Sequence, residues 1–417
     1  MMGYSIYLKQ IEESPIILES LPVGYNITDF IKDKILEKID NVGNIIIVNG
    51  VNSVEVPLIS TNEDKHKVKI TKVRIKESKK NYDTLFDIIA QFNELGVRRN
   101  DIIVAIGGGT TTDLVGFAAA IYQRGIRWVA IPTTFMSMVD AAIGGKTAIN
   151  FGDYKNYVGT THLPEFIFYN LEYLKTNSFD MICDGMAEVI KVALIGNNKK
   201  LLENIELIYE DFSSGNFNNK EVLIEVIEET FNTKMSIVKN DMYDYNTRKL
   251  LNFGHTFGHA LESYINSKLK YSSNYGSGIQ KPTIGHGACV YIGMLAELYL
   301  GKFEHKDFSK IKELLRKYGT FYVIKEFQQV FSSIYNIDTH LDLSNISEEI
   351  EITIEELLRY IQGDKKNTSE LISFVNINNM YSEYSQSFSF KEYSLKDDYN
   401  RMVEALNNSF SFYFGSL

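Results

Sequence analysis

Two cysteines in 417 residues, Cys183 and Cys289, leave little room for sulfur chemistry. Neither belongs to a C-x-x-C pair, so a disulfide framework and a thiolate zinc cluster are both disfavoured, and a reducing cytosol is the expected setting. Proline is scarce too. There are six, none after Pro282, which suits uninterrupted helices in the C-terminal third. No run of about 18 apolar residues occurs, and the opening Met1 to Pro15 lacks a basic segment followed by a long apolar one, so neither membrane spanning nor export is expected. Positive charge is not in excess. With 43 Lys and Arg against 53 Asp and Glu the net charge is -10, which argues against a nucleic-acid surface and obliges any anion pocket to gather its own cations.

What is present is length and pattern. A chain of 417 residues can hold two domains with substantial cores. The N-terminal third alternates short β-branched runs (Asn44 to Val48, Lys67 to Ile75, Ile102 to Ile106, Trp128 to Ile131) with helix-like stretches, Tyr82 to Leu95 and Asp113 to Ala120. That alternation predicts an α/β, Rossmann-like parallel-sheet domain over residues 1–178. From residue 179 the segments Met181 to Ile195, Lys200 to Glu210, Lys220 to Val238, Leu250 to Ile265 and Gly287 to Phe303 carry apolar residues at helical spacing, which predicts a mostly helical second domain, 179–417. Lys268 to Ile284 reads as a long loop. The tail from Met380, biased towards Ser and Tyr, has no legible role.

Chemistry concentrates between Ile106 and Asn150. Gly107, Gly108 and Gly109 follow an apolar run, the strand-then-glycine turn that lets backbone approach a pyrophosphate, although such a turn alone is often only tight packing. A second strand leads through Pro132, Thr133 and Thr134 to Asp140, and the pair Gly144-Gly145 is followed by Lys146. A glycine turn with a cation behind it suits a phosphorylated ligand. Further on, Glu188 and Lys191 share a helix face, a spacing that by itself favours a solvated pair. His255 and His259 lie one helical turn apart and His286 offers a third imidazole, in a pattern as compatible with buried, hydrogen-bonded histidines as with a metal. Gly254 and Gly258 beside the imidazoles, and Glu188 as an oxygen donor, favour the metal.

These motifs, in this order, resemble the dehydroquinate synthase family of sugar phosphate cyclases, over roughly Ile45 to Lys366. The family carries a GGG-x-x-x-D turn, an RG-x-R-x-x-x-x-PT segment, a VD-x-x-x-GGKT element and a G-[LM]-AEVIK helix. The resemblance implies NAD and a divalent metal, zinc with cobalt as the alternative, in a homodimer acting on a small sugar acid phosphate. It implies Glu188, His255 and His286 as metal ligands. Asp140, Lys146, Lys191 and His259 would be catalytic. Arg124 (from a neighbouring subunit), Asn156, Asn252, Lys365 and Lys366 would join His259 at the substrate phosphate, with Lys234 and Arg248 on its carboxylate. For the nucleotide it implies Glu77, Lys80, Gly107, Gly108, Gly109, Asp113, Thr133, Thr134, Lys146, Lys155 and Thr176, with Asn49 or Asn52 on the adenosine ribose. The implied reaction turns a seven-carbon 2-keto-3-deoxy sugar acid phosphate into dehydroquinate, a step of aromatic amino-acid biosynthesis. Alternatives are a sedoheptulose 7-phosphate cyclase, an aminodehydroquinate synthase and a metal-dependent polyol dehydrogenase. Departures from the family pattern are Thr112 before Asp113, Tyr157 to Thr161 after Asn156, Ala288 after His286-Gly287, and a loop before His286 roughly 15 residues longer than the resemblance implies, a length that surface loops tolerate at modest entropic cost.

Overall fold

The structure, a computed structural model, describes residues 16–18, 27–50, 70–74, 79–152, 154–271, 283–303, 308–335, 356–357, 360–361, 371–377, 388–394 and 396–414. Asn52, Glu77, Lys365, Lys366 and most of the loop Lys268 to Ile284 lie outside them. The chain divides into two compact units, Met1–Met181 with Gly215–Phe217, and Ile182–Ser214 with Asn218–Leu417.

In the first unit, β1 (Ile16–Leu18), β2 (Ile45–Asn49), β3 (Ile70–Arg74), β4 (Ile102–Gly107), β5 (Arg127–Pro132) and β8 (Ile167–Tyr169) form one sheet in the order β1-β8-β5-β4-β2-β3. Every pairing is parallel. The strand β4 reads IIVAIG and is buried throughout, as expected of a strand covered on both faces. Helices α1 (Ile27–Lys38), α2 (Tyr82–Glu94) and α3 (Gly109–Ile121) belong to the same unit. The helix α2 buries Leu85, Ile88 and Phe92 at helical spacing, and it starts where the Asn81 side chain accepts the Thr84 N–H. Strands β2 and β3 run one way from the sheet centre, β4 and β5 the other. The order therefore reverses between β2 and β4, where Asn49 lies opposite Ile106 at the carboxyl ends. An antiparallel hairpin, β6 (Lys146–Phe151) and β7 (Tyr154–Thr161), was not anticipated, because Lys155 to Thr160 are all exposed and carry no one-sided apolar pattern.

The second unit holds most of α4 (Phe179–Ile195), then α5 (Lys199–Leu207), α6 (Tyr209–Ser214), α7 (Lys220–Asn240), α8 (His255–Tyr271), α9 (His286–Leu300) and α10 (Phe308–Tyr335). An antiparallel hairpin of β9 (Leu371–Ile377) and β10 (Phe388–Ser394) and a last helix, α11 (Tyr399–Phe414), complete it. The helix α9 is buried continuously from Gly287 to Leu298, as a central helix must be if it is apolar all round. Two expectations need correction. Lys200 to Glu210 is two helices divided at Ile208. Leu250 to Ile265 is broken: a tight turn, Thr247–Asn252, precedes Gly254, whose φ of 77° stops one helix before α8 begins. Glycine is needed there for a second reason, since an added Cβ would lie 2.5 Å from Met294 Cγ on α9.

Candidate active site

At the switch point of the sheet, the carboxyl end of β4 runs directly into α3. Gly108 is the N-cap and no side chain caps it, so the first N–H groups of α3 are presented by backbone alone. Side chains are excluded by packing: a Cβ on Gly107 would lie 2.5 Å from Thr111 Oγ1, and one on Gly50 would meet the same atom at 2.5 Å. Thr112 fits without disturbing the turn because its hydroxyl turns back to the Gly109 carbonyl at 3.1 Å. Next to this turn, Asn49 ends β2 with its Oδ1 buried and, among the described residues, unbonded. A buried acceptor at that position suits a ribose hydroxyl, while Asn52 lies outside the described residues.

Lys80 forms an ion pair with Asp113 and also donates to Asn156 Oδ1, so two residues assigned to the nucleotide and one assigned to phosphate stand together. Thr133 donates its N–H to the Gly107 carbonyl at 3.0 Å, and Thr134 closes a local turn with the Ser137 hydroxyl at 3.0 Å. Asp140 lies half-buried in a single wide helical turn of π type, Ser137–Ala141, a form concentrated at functional sites. Lys146, Lys155 and Arg124 are exposed, and Arg124 has a left-handed φ of 64°. The Thr176 hydroxyl is spent on the Tyr173 carbonyl, 2.7 Å away.

In the second unit Glu188, His255, His259 and His286 come together from α4, α8 and α9. The oxygen Glu188 Oε1 lies 3.3 Å from His255 Nε2 and 3.2 Å from His286 Nε2. The three histidines offer ring nitrogens that all lie within 4.8 Å of one another. Lys191 forms an ion pair with Glu188 one turn along α4, both side chains being buried. The second ring nitrogens are fixed as well: His255 Nδ1 lies 3.1 Å from the Phe253 carbonyl and His286 Nδ1 lies 3.4 Å from Glu262 Oε2. A carbonyl only accepts, so His255 carries its proton on Nδ1 and a neutral ring turns a lone pair towards Glu188.

Electrostatics sharpen this. Burial, with the Lys191 charge behind it, brings the His255 pKa down to about 4, so its ring is neutral at pH 7. For His286 burial acts in the same direction, but the bonds to Glu188 and Glu262 outweigh it and hold the pKa up at about 10. Burial alone would raise Glu188. Lys191, His255 and His286 together keep it well below the usual carboxylate range. A carboxylate oxygen and an imidazole lone pair at 3.3 Å repel unless a cation stands between them. Donors bound at about 2.0–2.1 Å around a tetrahedral ion are about 3.3 Å apart, so the two measured separations fit a shared ion. One carboxylate and two imidazoles, with positions left over, is the kind of donor set that could hold a divalent ion and leave room for a substrate.

Arg248 and Lys234 are both buried, at 2% and 6% exposure, which a charged side chain tolerates only with polar partners in place. The Arg248 backbone donates to Asp241 Oδ2 at 3.0 Å and its guanidinium to the Met242 carbonyl at 2.6 Å. Asn252 ends the same turn and is half-buried. Sequence reasoning missed Glu262 and Asp184. The spacing His255, His259, Glu262 puts all three on one face of α8, and Asp184 precedes Glu188 by one turn, so both were legible as positions. Neither could be told from a solvated carboxylate without knowing what it faces.

Comparison with known proteins bears on the same residues. The 3-dehydroquinate synthase N-terminal family model matches residues 70–183 and the corresponding C-terminal model matches residues 185–367. A 3-dehydroquinate synthase of Clostridium tetani is 33% identical over 301 residues, 69% of this chain and 76% of that enzyme. The pentafunctional AROM polypeptide of Candida tropicalis is 32% identical over 364 residues, 81% of this chain but 22% of that polypeptide, so the chain spans about a fifth of its length. Among solved structures, a 2-deoxy-scyllo-inosose synthase complexed with carbaglucose-6-phosphate, NAD+ and Co2+ covers 94% of this chain and 96% of its own, with a TM-score of 0.65 at 20% identity, a likeness of fold. Both family models fall on the segments that carry the glycine turn and the Glu188, His255 and His286 cluster, and the chain belongs to the 3-dehydroquinate synthase family.

Proposed function

We propose that this chain is an NAD- and divalent-metal-dependent cyclase that converts a seven-carbon 2-keto-3-deoxy sugar acid phosphate to dehydroquinate with release of phosphate. The observation that carries the reading is the buried Glu188 Oε1 set between the Nε2 atoms of His255 and His286, a donor set that suits a divalent cation. The uncapped Gly108 turn with the buried Asn49 acceptor beside it supports a dinucleotide, as in the complexed relative. NAD, when bound, supplies reversible hydride removal at carbon 5, and a divalent ion supplies polarisation of oxygens there.

This chain's own residues do the rest. Glu188, His255 and His286 would hold the ion, and Lys191 beside them offsets negative charge as a hydroxyl proton leaves. His259, half-buried with its ring centroid 4.8 Å from that of His255, is placed to hold phosphate or carry a proton near it. Arg248 suits a planar carboxylate because its guanidinium offers paired donors, and Lys234 adds charge. Asn252 would assist at phosphate. Asp140 and Lys146 would serve the nicotinamide side, and Arg124, exposed on its left-handed turn, would serve a neighbouring copy.

The test is a balance of products. Purified protein with NAD and Zn2+ or Co2+ should release inorganic phosphate from the keto acid phosphate without accumulating NADH, and chelation should abolish the release. Stoichiometric NADH without phosphate would replace the cyclase by a dehydrogenase, and equal turnover of sedoheptulose 7-phosphate would move the substrate to one without a carboxylate.

A further inference from the structure

The two helices that bring Glu188 and His286 together are joined by a carboxylate outside the proposed donor set. Asp184 lies one turn before Glu188 on α4, and its Oδ1 accepts the Gly287 N–H and the Tyr322 hydroxyl, each at 2.6 Å. Tyr322 belongs to α10. One turn further along α10, Glu326 Oε2 accepts the Gly285 N–H at 2.6 Å. The backbone N–H groups on either side of His286 are thus each held by a carboxylate from a different helix. Contact is close enough to exclude side chains: a Cβ on Gly287 would lie 2.3 Å from the Asp184 carbonyl oxygen, and one on Gly285 would lie 2.0 Å from the Tyr322 hydroxyl. Carboxylates at a helix N-terminus also oppose the positive end of its dipole. The start of α9 is therefore pinned at two points that bracket the imidazole, while the imidazole ring meets Glu188 and Glu262.

We infer that Asp184, with Tyr322, is a positioning residue that sets His286 against Glu188 for a divalent ion. The inference rests on the metal reading above. Outer groups that orient ligands are worth about 10–100-fold in metal affinity. The full-length protein is stripped of metal, reloaded with Co2+, and its affinity measured by chelator competition alongside the visible absorption of the bound ion. Asp184→Ala should bind Co2+ about 10–100-fold more weakly, with a shifted band. Asp184→Asn keeps an oxygen aimed at Gly287 and Tyr322 and should stay within about threefold of the unmodified protein, while Tyr322→Phe should lose about three- to tenfold. Leu223→Ala, a buried change on α7, should lower the unfolding temperature and leave Co2+ affinity alone. Unchanged affinity and spectrum in Asp184→Ala and Tyr322→Phe would overturn the inference, as would an Asp184→Asn as weak as Asp184→Ala. If Asp184→Ala does not fold, Tyr322→Phe decides. Failure of the unmodified protein to bind Co2+ would take down the metal reading and this one with it, whereas tight binding by every variant takes down only this one.

Discussion

Asp241 shows how one side chain can place another. Its carboxylate accepts N–H groups from Tyr245 at 2.9 Å, Asn246 at 2.6 Å and Arg248 at 3.0 Å, and so folds the turn that presents the Arg248 guanidinium. Burial would raise its pKa, but these bonds and the Arg248 charge outweigh burial and lower it. A depressed carboxylate contributes stability that is complete above its unfolded pKa, about 3.9, and is lost as pH falls through the folded value. Asp241→Asn should therefore cost about 2 kcal/mol at pH 7, and the gap to the unmodified protein should close as pH falls from about 5 towards 3. Urea melts across that range check it, and a gap that does not change with pH would count against the carboxylate's role. At this scale the sequence told a good deal. Glu188, His255 and His286 could be proposed as a set because metal donors need fixed residue types, whereas the contacts of Glu262 and Asp184 depend on what they face, which spacing does not report.

The glycine turn was legible as an element because three consecutive residues without Cβ after an apolar run have few other uses. The helix behind it was expected from Asp113 and begins at Gly109, since Thr110, Thr111 and Thr112 are poor helix formers that the strand end and the turn hold in place. The π-type turn around Asp140 and the hairpin β6–β7 left no signal, the first because one extra residue in a turn has no periodicity, the second because its exposed strand lacks a buried face. For the turn itself, Gly107→Ala would drive a Cβ to 2.6 Å from the Thr111 Cβ as well as against its hydroxyl. Overpacking of this kind costs about 1–3 kcal/mol, and because the displaced backbone is the proposed pyrophosphate contact, NAD affinity should fall about tenfold or more. Calorimetric titration with NAD checks it, and wild-type affinity would remove the turn from the cofactor site.

For the molecule as a whole, the largest gap in the sequence reading was the tail. The C-terminal family model ends at residue 367, yet β10 and α11 are ordered parts of the second unit. Polar bias hid them. The buried residues of α11, Met402, Ala405, Leu406, Ser409 and Tyr413, nevertheless follow helical spacing, so the signal was present beneath the Ser and Tyr content. The face they form lies on α9: Ser409 donates to the Ile292 carbonyl at 2.8 Å, Tyr413 to the Tyr291 carbonyl at 3.4 Å, and Tyr393 and Arg401 both reach the Leu300 carbonyl. Leu406→Ala should cost about 2–5 kcal/mol and Ser409→Ala about 1 kcal/mol, read as lowered unfolding temperatures with faster amide exchange along α9. Unchanged exchange in α9 would mean that the last helix is only a neighbour.

The packing of α11 on α9 also sets an order of events during synthesis. Ser409 is separated from its partner Ile292 by 117 residues. At about 5–20 residues per second, a ribosome needs on the order of ten seconds to bridge that interval. Throughout it the nascent chain already contains Glu188, His255 and His286, while the apolar helix that carries the last of them lacks its cover. The three proposed metal ligands are thus all synthesised before the fold that encloses them can close, and for those seconds the apolar surface left without its cover is that of α9 itself.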